Sequence, residues 1–220
     1  NKKRWTIMKQ NYTIIAMCIT IFSGCPQKAS DKIDFGTIEN STYQNSYFGL
    51  SIKIPSDWNV QDQAARQKLM ELGTNIVAGD DKNLKAVVKA SELQTVNLFA
   101  AFKYPVGKPV DFNPSILCIA EQVRHMPGIK RGKDYLLQGK KLLESSPMEI
   151  SFAEDTYTEK LGEMDFDVMT SEIRLGGQII KQAQYAAIDK GYALMFAISF
   201  TNDEEKTILN GILESAQFQQ

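Results

Sequence analysis

The fold follows from residues 178–200, QIIKQAQYAAIDKGYALMFAISF, which contain two strands joined by a tight turn. Residues 194–200 are almost wholly apolar, which predicts that the strand at 192–200 is central and covered on both faces. The Lys-Gly pair at 190–191 is typical of a β-hairpin, because the primed turns of short hairpins need positive φ. A Gly-Gly pair at 176–177 gives the same signal after a strand at residues 166–175. The C-terminal third therefore predicts three consecutive antiparallel strands.

Upstream of these hairpins, hydrophobic periodicity and capping residues predict the remaining elements. The alternation of apolar residues predicts further strands at residues 48–54, 95–103, 115–123 and 148–152. Helical spacing predicts helices at residues 63–72 (capped by Asp62 and stopped by Gly73), 80–90 and 135–144 (capped by Asp134).

A helix at residues 203–215 closes the predicted order of elements. Thr201 or Asn202 serves as its N-cap, and acidic residues fill its first turn, where the helix dipole favours them. It carries one apolar stripe, made of Ile208, Leu209, Ile212, Leu213 and Ala216. The sequence therefore predicts a single α+β domain, with a largely antiparallel sheet flanked by helices and the C-terminal helix docked on the core.

Two stretches resemble one known family. YFGLSIKIPSDW at residues 47–58 is similar to the first strand and Pro-x-x-Trp turn of PsbP-like proteins, which are also grouped with Mog1. GYALMFAISF at residues 191–200, followed by an acidic first turn and a helix, resembles the last strand and helix of that fold. The resemblance implies an α/β/α sandwich over residues 47–218. It implies no function, because the fold hosts a photosystem subunit, a small-GTPase binder and many bacterial lipoproteins, and no functional residue of the family carries over.

The N-terminal stretch has the pattern of an export signal. Its only charges are basic, and residues 12–22 form an apolar run too short for the roughly 20 residues of a membrane-spanning helix. Phe22-Ser23-Gly24-Cys25 resembles the lipobox of bacterial lipoproteins. We therefore predict a signal peptide at residues 1–24 and lipid attachment at Cys25. Met8-Lys9 would make a normal start, in which case residues 1–7 are an upstream extension of the reading frame.

The predicted anchor sets the domain organisation and the location. Residues 25–46 are rich in polar residues and predict a lipidated cysteine followed by a flexible tether. Residues 47–220 then form the globular domain. The expected location is the exported face of a bacterial membrane. This is the outer face of the cytoplasmic membrane in a Gram-positive cell. In a Gram-negative cell it is the outer membrane, because Pro26 stands where an inner-membrane retention signal has Asp.

Charge and cysteine content narrow the function classes. The chain has 25 basic and 26 acidic residues, and removal of the leader leaves 21 basic residues and a net charge of −5. This balance gives no general attraction to nucleic acid. Cys118 is then the only thiol left after Cys18 leaves with the leader and Cys25 is lipidated. We expect Cys118 to be buried as a small hydrophobic residue, and we expect the fold to have no intramolecular disulfide.

No catalytic, cofactor or metal site is predicted. His125 is the single histidine and lies after a strand, so we expect it in a turn, and one His with one core Cys does not make a typical zinc site. The chain has no Gly-x-Ser-x-Gly elbow and no glycine-rich phosphate loop. Trp58 is expected to pack at the edge of the core.

Charge is distributed unevenly along the chain. Residues 82–143 contain eleven Lys and Arg against four acids, whereas residues 144–172 contain nine acids against Lys160 alone. One interpretation is two solvated surfaces that attract each other across the fold. The other is a dipolar surface that steers a charged partner, or an acidic patch that binds a divalent cation weakly.

Three functions remain open from the sequence. The first is a non-catalytic interaction or assembly module of the cell envelope, attached to membrane lipid through Cys25 and bound to another envelope protein. The second is a lipoprotein that binds a small ligand or a divalent metal beside the sheet. The third, an envelope enzyme, lacks recognisable catalytic groups.

Overall fold

The structure is a computed structural model that describes residues 33–219. The predicted signal peptide and Cys25 lie outside these residues. No helix within residues 33–219 is both long enough and apolar enough to cross a membrane.

The centre of the domain is an eight-stranded sheet in which every pairing is antiparallel. Seven of its strands form one path, in the order β4-β5-β6-β11-β10-β9-β7, and β8 also pairs with β9. Their bounds are β4 Asn59–Val60, β5 Thr95–Phe102, β6 Ser115–Gln122, β7 Glu149–Phe152, β8 Tyr157–Leu161, β9 Met164–Leu175, β10 Gln178–Asp189 and β11 Tyr192–Phe200. The two predicted hairpins are confirmed, and β11 is buried along its whole length.

A four-stranded antiparallel sheet packs on one face of this large sheet. It has the order β1-β2-β3-β12, formed by β1 Thr37–Glu39, β2 Thr42–Asn45, β3 Leu50–Lys53 and β12 Gln217–Phe218. The predicted tether was wrong for residues 33–46, because the structured body begins before residue 47. Tyr43 and Asn45 are buried in β2, and Tyr43 packs on Phe99 with ring centroids 4.8 Å apart.

Three helices cover the opposite face of the large sheet: α1 Gln63–Ala78, α2 Lys82–Glu92 and α3 Gly132–Glu144. Asp62 caps α1 as predicted, but the predicted end at Gly73 was wrong. Gly73 is buried inside α1, which continues for another turn because Val77 and Ala78 pack inward, and it ends at Gly79 with φ 53°. Val77 joins Val88 of α2 and Leu143 of α3 in one apolar cluster.

The first turn of α3 is pressed against the large sheet. Its backbone is so close to β10 that a Cβ on Gly132 would lie 1.8 Å from the carbonyl oxygen of Ala186. Asp134 is the third residue of α3 rather than its cap, and its carboxylate accepts hydrogen bonds from the backbone N–H groups of Lys130 and Arg131, both at 3.0 Å. These backbone bonds hold the pKa of Asp134 below its usual value.

The last helix, α4 Asp203–Glu214, lies beside the small sheet on the same face of the large sheet. Asn202 caps it through a bond from the backbone N–H of Glu205 to its side-chain oxygen, 3.0 Å long. Leu209, Ile212 and Leu213 are buried in the main core, as the apolar stripe predicts. The chain is therefore an α+β domain of three layers, with α1–α3 on one side of the large sheet and the small sheet with α4 on the other.

Candidate functional site

The residues singled out from the sequence serve the core and a turn. Cys118 is fully buried in β6, opposite Phe99 on one neighbouring strand and Phe196 on the other. Trp58 is buried in the main core. His125 lies in a turn after β6, as expected, with its Nε2 buried and lacking a hydrogen-bond partner. Nothing in the described residues places these three side chains together.

A cleft of about 400 Å³ lies on the face of the large sheet that carries α4. Residues of β9 and β10 that are in register share one face of the sheet and form the floor, which ends at Tyr185 opposite the buried Val168. Glu172 lies opposite Lys181, Thr170 opposite Ala183, and Val168 opposite Tyr185. The start of α4 forms one wall, and the end of β7 with Ala153 and the first residue of β8 forms the other.

Two tyrosines give the cleft an aromatic wall. Tyr157 of β8 is half exposed, whereas Tyr185 of β10 is buried, and their phenol groups are hydrogen-bonded to each other. Burial raises the pKa of both phenols, and the nearby Glu159 carboxylate raises it further. Both side chains therefore stay neutral at pH 7 and can still donate or accept hydrogen bonds.

The cleft carries both signs of charge. Glu172 and Lys181 are half-buried neighbours on the floor, and Asp203 and Lys206 are exposed on the first two turns of α4. The Lys206 ammonium lies 5.9 Å from the ring centroid of Phe200, which closes the apolar end of the cleft. Two cations and two anions thus surround an aromatic surface. This arrangement suits a ligand or peptide segment that itself carries both charges.

The lining of the cleft offers polar and charged groups that can bind a ligand. Its groups are carboxylates, ammonium groups, phenols and the hydroxyl groups of Ser151 and Thr170. Within residues 33–219, no group of three or more His, Cys, Asp or Glu side chains is arranged to hold a metal ion. The cleft therefore supports binding through hydrogen bonds, ion pairs and aromatic packing.

The basic and acidic stretches of the sequence meet along α3. The Nζ atom of Lys140 lies 3.9 Å from Oε1 of Glu144, one turn later in α3. Asp167 of β9 accepts a 2.8 Å hydrogen bond from the backbone N–H of Lys133. Glu149, in the acidic stretch, pairs with Arg174 at 3.8 Å across β7 and β9. Of these three contacts, the Lys140–Glu144 pair joins opposite charges of the two stretches, because Arg174 lies outside the basic stretch and the Asp167 bond is to the backbone of Lys133.

No family model matches the sequence, and no curated protein matches it. Among solved structures, the chain is similar to the cyanobacterial PsbP protein (CyanoP) of Synechocystis sp. PCC 6803, with 10% identity and a TM-score of 0.49. That likeness covers 84% of this chain and 96% of CyanoP.

Two further solved structures are similar to the chain. One is LpqN, which is involved in cell envelope biogenesis of Mycobacterium tuberculosis, with 13% identity, a TM-score of 0.44 and coverage of 78% of this chain and 83% of LpqN. The other is a protein of Bacteroides thetaiotaomicron VPI-5482, with 12% identity and a TM-score of 0.41 over 78% of this chain and 46% of that protein. PsbP, whose family the sequence resembles at residues 47–58 and 191–200, is thus among the solved structures to which this chain is similar.

Proposed function

We propose that this chain is a non-catalytic binding module of a bacterial cell envelope, held on the exported face of a membrane by a lipid on Cys25. The leader pattern and the Phe22-Ser23-Gly24-Cys25 sequence support the anchor. The cleft beside α4 supports the binding role, because it joins an aromatic wall to both signs of charge.

The proposed partner is a segment of another envelope protein that carries an apolar or aromatic side chain between a basic and an acidic residue. The half-exposed ring of Tyr157 gives such a side chain a surface on which to pack. Lys181 and Lys206 pair with its acid, and Glu172 and Asp203 pair with its base. Opposite charges placed on both sides of an aromatic contact give specificity and orientation more than raw affinity.

A small ligand is the second candidate for the same cleft. Its volume of about 400 Å³ falls in the range of roughly 300–1,000 Å³ that is usual for small-molecule sites. An amino acid or another small zwitterion would match the charges of the lining. The two candidates differ in what binds, and they use the same residues.

The anchor makes the first prediction. In a bacterial host supplied with a radioactive fatty acid, the protein is expected to become labelled, and Cys25→Ser is expected to abolish the label. The measurement is autoradiography of the purified protein. Labelling that persists in the Cys25→Ser variant would contradict the anchor.

The cleft makes the second prediction. Lys206→Glu and Tyr157→Ala are each expected to weaken partner binding at least about tenfold, equivalent to about 1.4 kcal/mol, because each removes a central contact. Both side chains are exposed, so the fold is expected to persist. The partner is first recovered from detergent-solubilised membranes, and its affinity is then measured by titration calorimetry.

The matched control is Lys160→Glu, which makes the same charge change at an exposed position of β8 outside the cleft. It is expected to retain native affinity. Equal loss in all three variants would point to net charge rather than the cleft. If no protein partner is recovered but a zwitterionic metabolite raises the Tm of the native protein and not of Lys206→Glu, the small-ligand candidate is correct.

A further inference from the structure

The chain enters the folded body through a fixed point at Asp34. The Asp34 carboxylate accepts hydrogen bonds from the backbone N–H of Gly36 at 2.8 Å, from Asn45 Nδ2 at 2.8 Å and from Ser46 Oγ at 2.5 Å. Asn45 is 2% exposed and also donates to the carbonyl oxygen of Asp34 at 2.9 Å. The three bonds from Asn45 and Ser46 tie the entry segment to the end of β2, so its direction is set by the fold.

Two large apolar side chains are exposed beside this entry point. Phe35 and Ile38 are 46% and 40% exposed. Both border the buried ring of Tyr43, whose hydroxyl donates to the carbonyl oxygen of Phe35 at 3.0 Å and whose residue is the register partner of Ile38. Ile38 lies in β1, the outermost strand of the small sheet, and Phe35 lies just before it. Phe35 and Ile38 therefore form a small apolar edge, named here the entry edge.

The length of chain before the entry edge limits how far the domain can stand from a lipid on Cys25. Only residues 26–32 separate Cys25 from Ile33, the first residue that the structure describes. At about 3.3–3.6 Å per residue, even a fully extended connection reaches roughly 26–29 Å. A connection this short favours orientations in which the entry edge, where the chain enters the fold, lies close to the bilayer.

We propose that the entry edge lies against the membrane in the anchored protein, with Phe35 and Ile38 in the headgroup region of the bilayer. This inference rests on the lipid anchor of the proposed function. Aromatic and aliphatic side chains are favoured at this depth, where the ring is shielded from water. The mature net charge of −5 gives no attraction to anionic lipid, so the contact is apolar and insensitive to salt.

This orientation also places the cleft. In the small sheet, β12 lies at the opposite end from β1, and Phe218 of β12 packs on Phe166 of β9 with ring centroids 5.8 Å apart. The cleft lies beyond this contact, over β9 and β10. With the entry edge on the bilayer, the cleft lies toward the β12 end of the small sheet, away from the strand that contacts the membrane.

Tryptophan placed at the entry edge tests the proposal. The full chain carrying Phe35→Trp is expressed with its lipid and reconstituted in phosphatidylcholine vesicles with brominated acyl chains, which quench nearby tryptophan. The emission of the new tryptophan is expected to shift to shorter wavelength and to lose intensity, equally at low and high salt. Ile38→Trp is expected to behave in the same way.

The control is Leu93→Trp, because Leu93 is 85% exposed and follows α2, on the opposite side of the large sheet. Its emission is expected to be the same with and without vesicles, and Trp58 is a constant background in all variants. Labelled, vesicle-bound protein in which Phe35→Trp is no more quenched than Leu93→Trp would overturn the orientation alone. Protein that carries no fatty-acid label and does not bind vesicles would overturn the anchor and the orientation together.

Discussion

Gly132→Ala is expected to destabilise the domain by about 3 kcal/mol, because the added methyl group has no space. Its Cβ would lie 1.8 Å from the carbonyl oxygen and 2.6 Å from the carbonyl carbon of Ala186, both backbone atoms of β10. The first turn of α3 cannot move away freely, because the N–H of Lys133 is bonded to Asp167. Urea denaturation followed by circular dichroism measures the change.

The chain offers a matched control for this substitution in α4. Gly211 lies inside an exposed part of the helix, and a Cβ there would meet nothing within 4 Å. Gly211→Ala is therefore expected to stabilise the domain by roughly 0.5–1 kcal/mol, since alanine has the higher helix propensity. If Gly132→Ala also raised the urea midpoint, α3 would not be packed on β10 as described.

Phe196→Ala is expected to cost about 3–5 kcal/mol, which is a large part of the roughly 5–15 kcal/mol that stabilises a typical domain. Phe196 is fully buried at the centre of β11, with its ring centroid 5.6 Å from that of Phe166 and 6.4 Å from that of Phe99. Its removal leaves a cavity between the large sheet and the layer above it. The measurement is the free energy of unfolding in urea.

Phe35→Ala makes the same chemical change at the half-exposed entry edge and serves as the control. It is expected to cost about 1 kcal/mol or less, because less apolar surface is lost from the core. A similar loss of stability in both variants would mean that Phe35 is needed for folding. A small loss of stability would mean that the fold does not require an apolar side chain at Phe35.

The strands of the C-terminal third were predictable because their signals are local. The Gly-containing pairs at 176–177 and 190–191 mark the turns. As the pattern requires, all four of these residues have positive φ. The bounds predicted for β10 and β11 agree with the structure. Here turn chemistry and side-chain periodicity act over a few residues, so no distant contact is needed to recognise them.

The N-terminal strands were missed because their stability comes from distant contacts. Strands β1 and β2 have three and four residues, and most of their side chains are polar. Tyr43 becomes part of the core only because Phe99, more than fifty residues later, supplies the surface on which it packs. The helix end predicted at Gly73 was wrong for a related reason. Gly73 lies on the buried face of α1, and the packing of that face outweighs the low helix propensity of glycine.

The cleft could not be recognised as a motif. Its charged and aromatic groups come from β8, β9, β10, β11 and α4, and no two of these elements supply the set alone. One local signal was present, because Lys181, Ala183 and Tyr185 alternate along β10 and so share one face of the sheet. The sequence did not show that the small sheet and α4 cover only part of that face, which leaves Lys181 partly exposed in the cleft.

The pairing of β12 with β3 has a consequence for the order of folding. Ser51 pairs with Gln217, and the N–H of Gln219 bonds to the carbonyl oxygen of Gly49 at 2.8 Å. A sheet begun by residues 37–53 is thus completed only after residues 217–218 have been synthesised, and closing so long a loop is slow. Until then the apolar face of the large sheet has only part of its cover. Nascent chains therefore pass through a stage in which apolar surface that the native fold covers is exposed and favours aggregation.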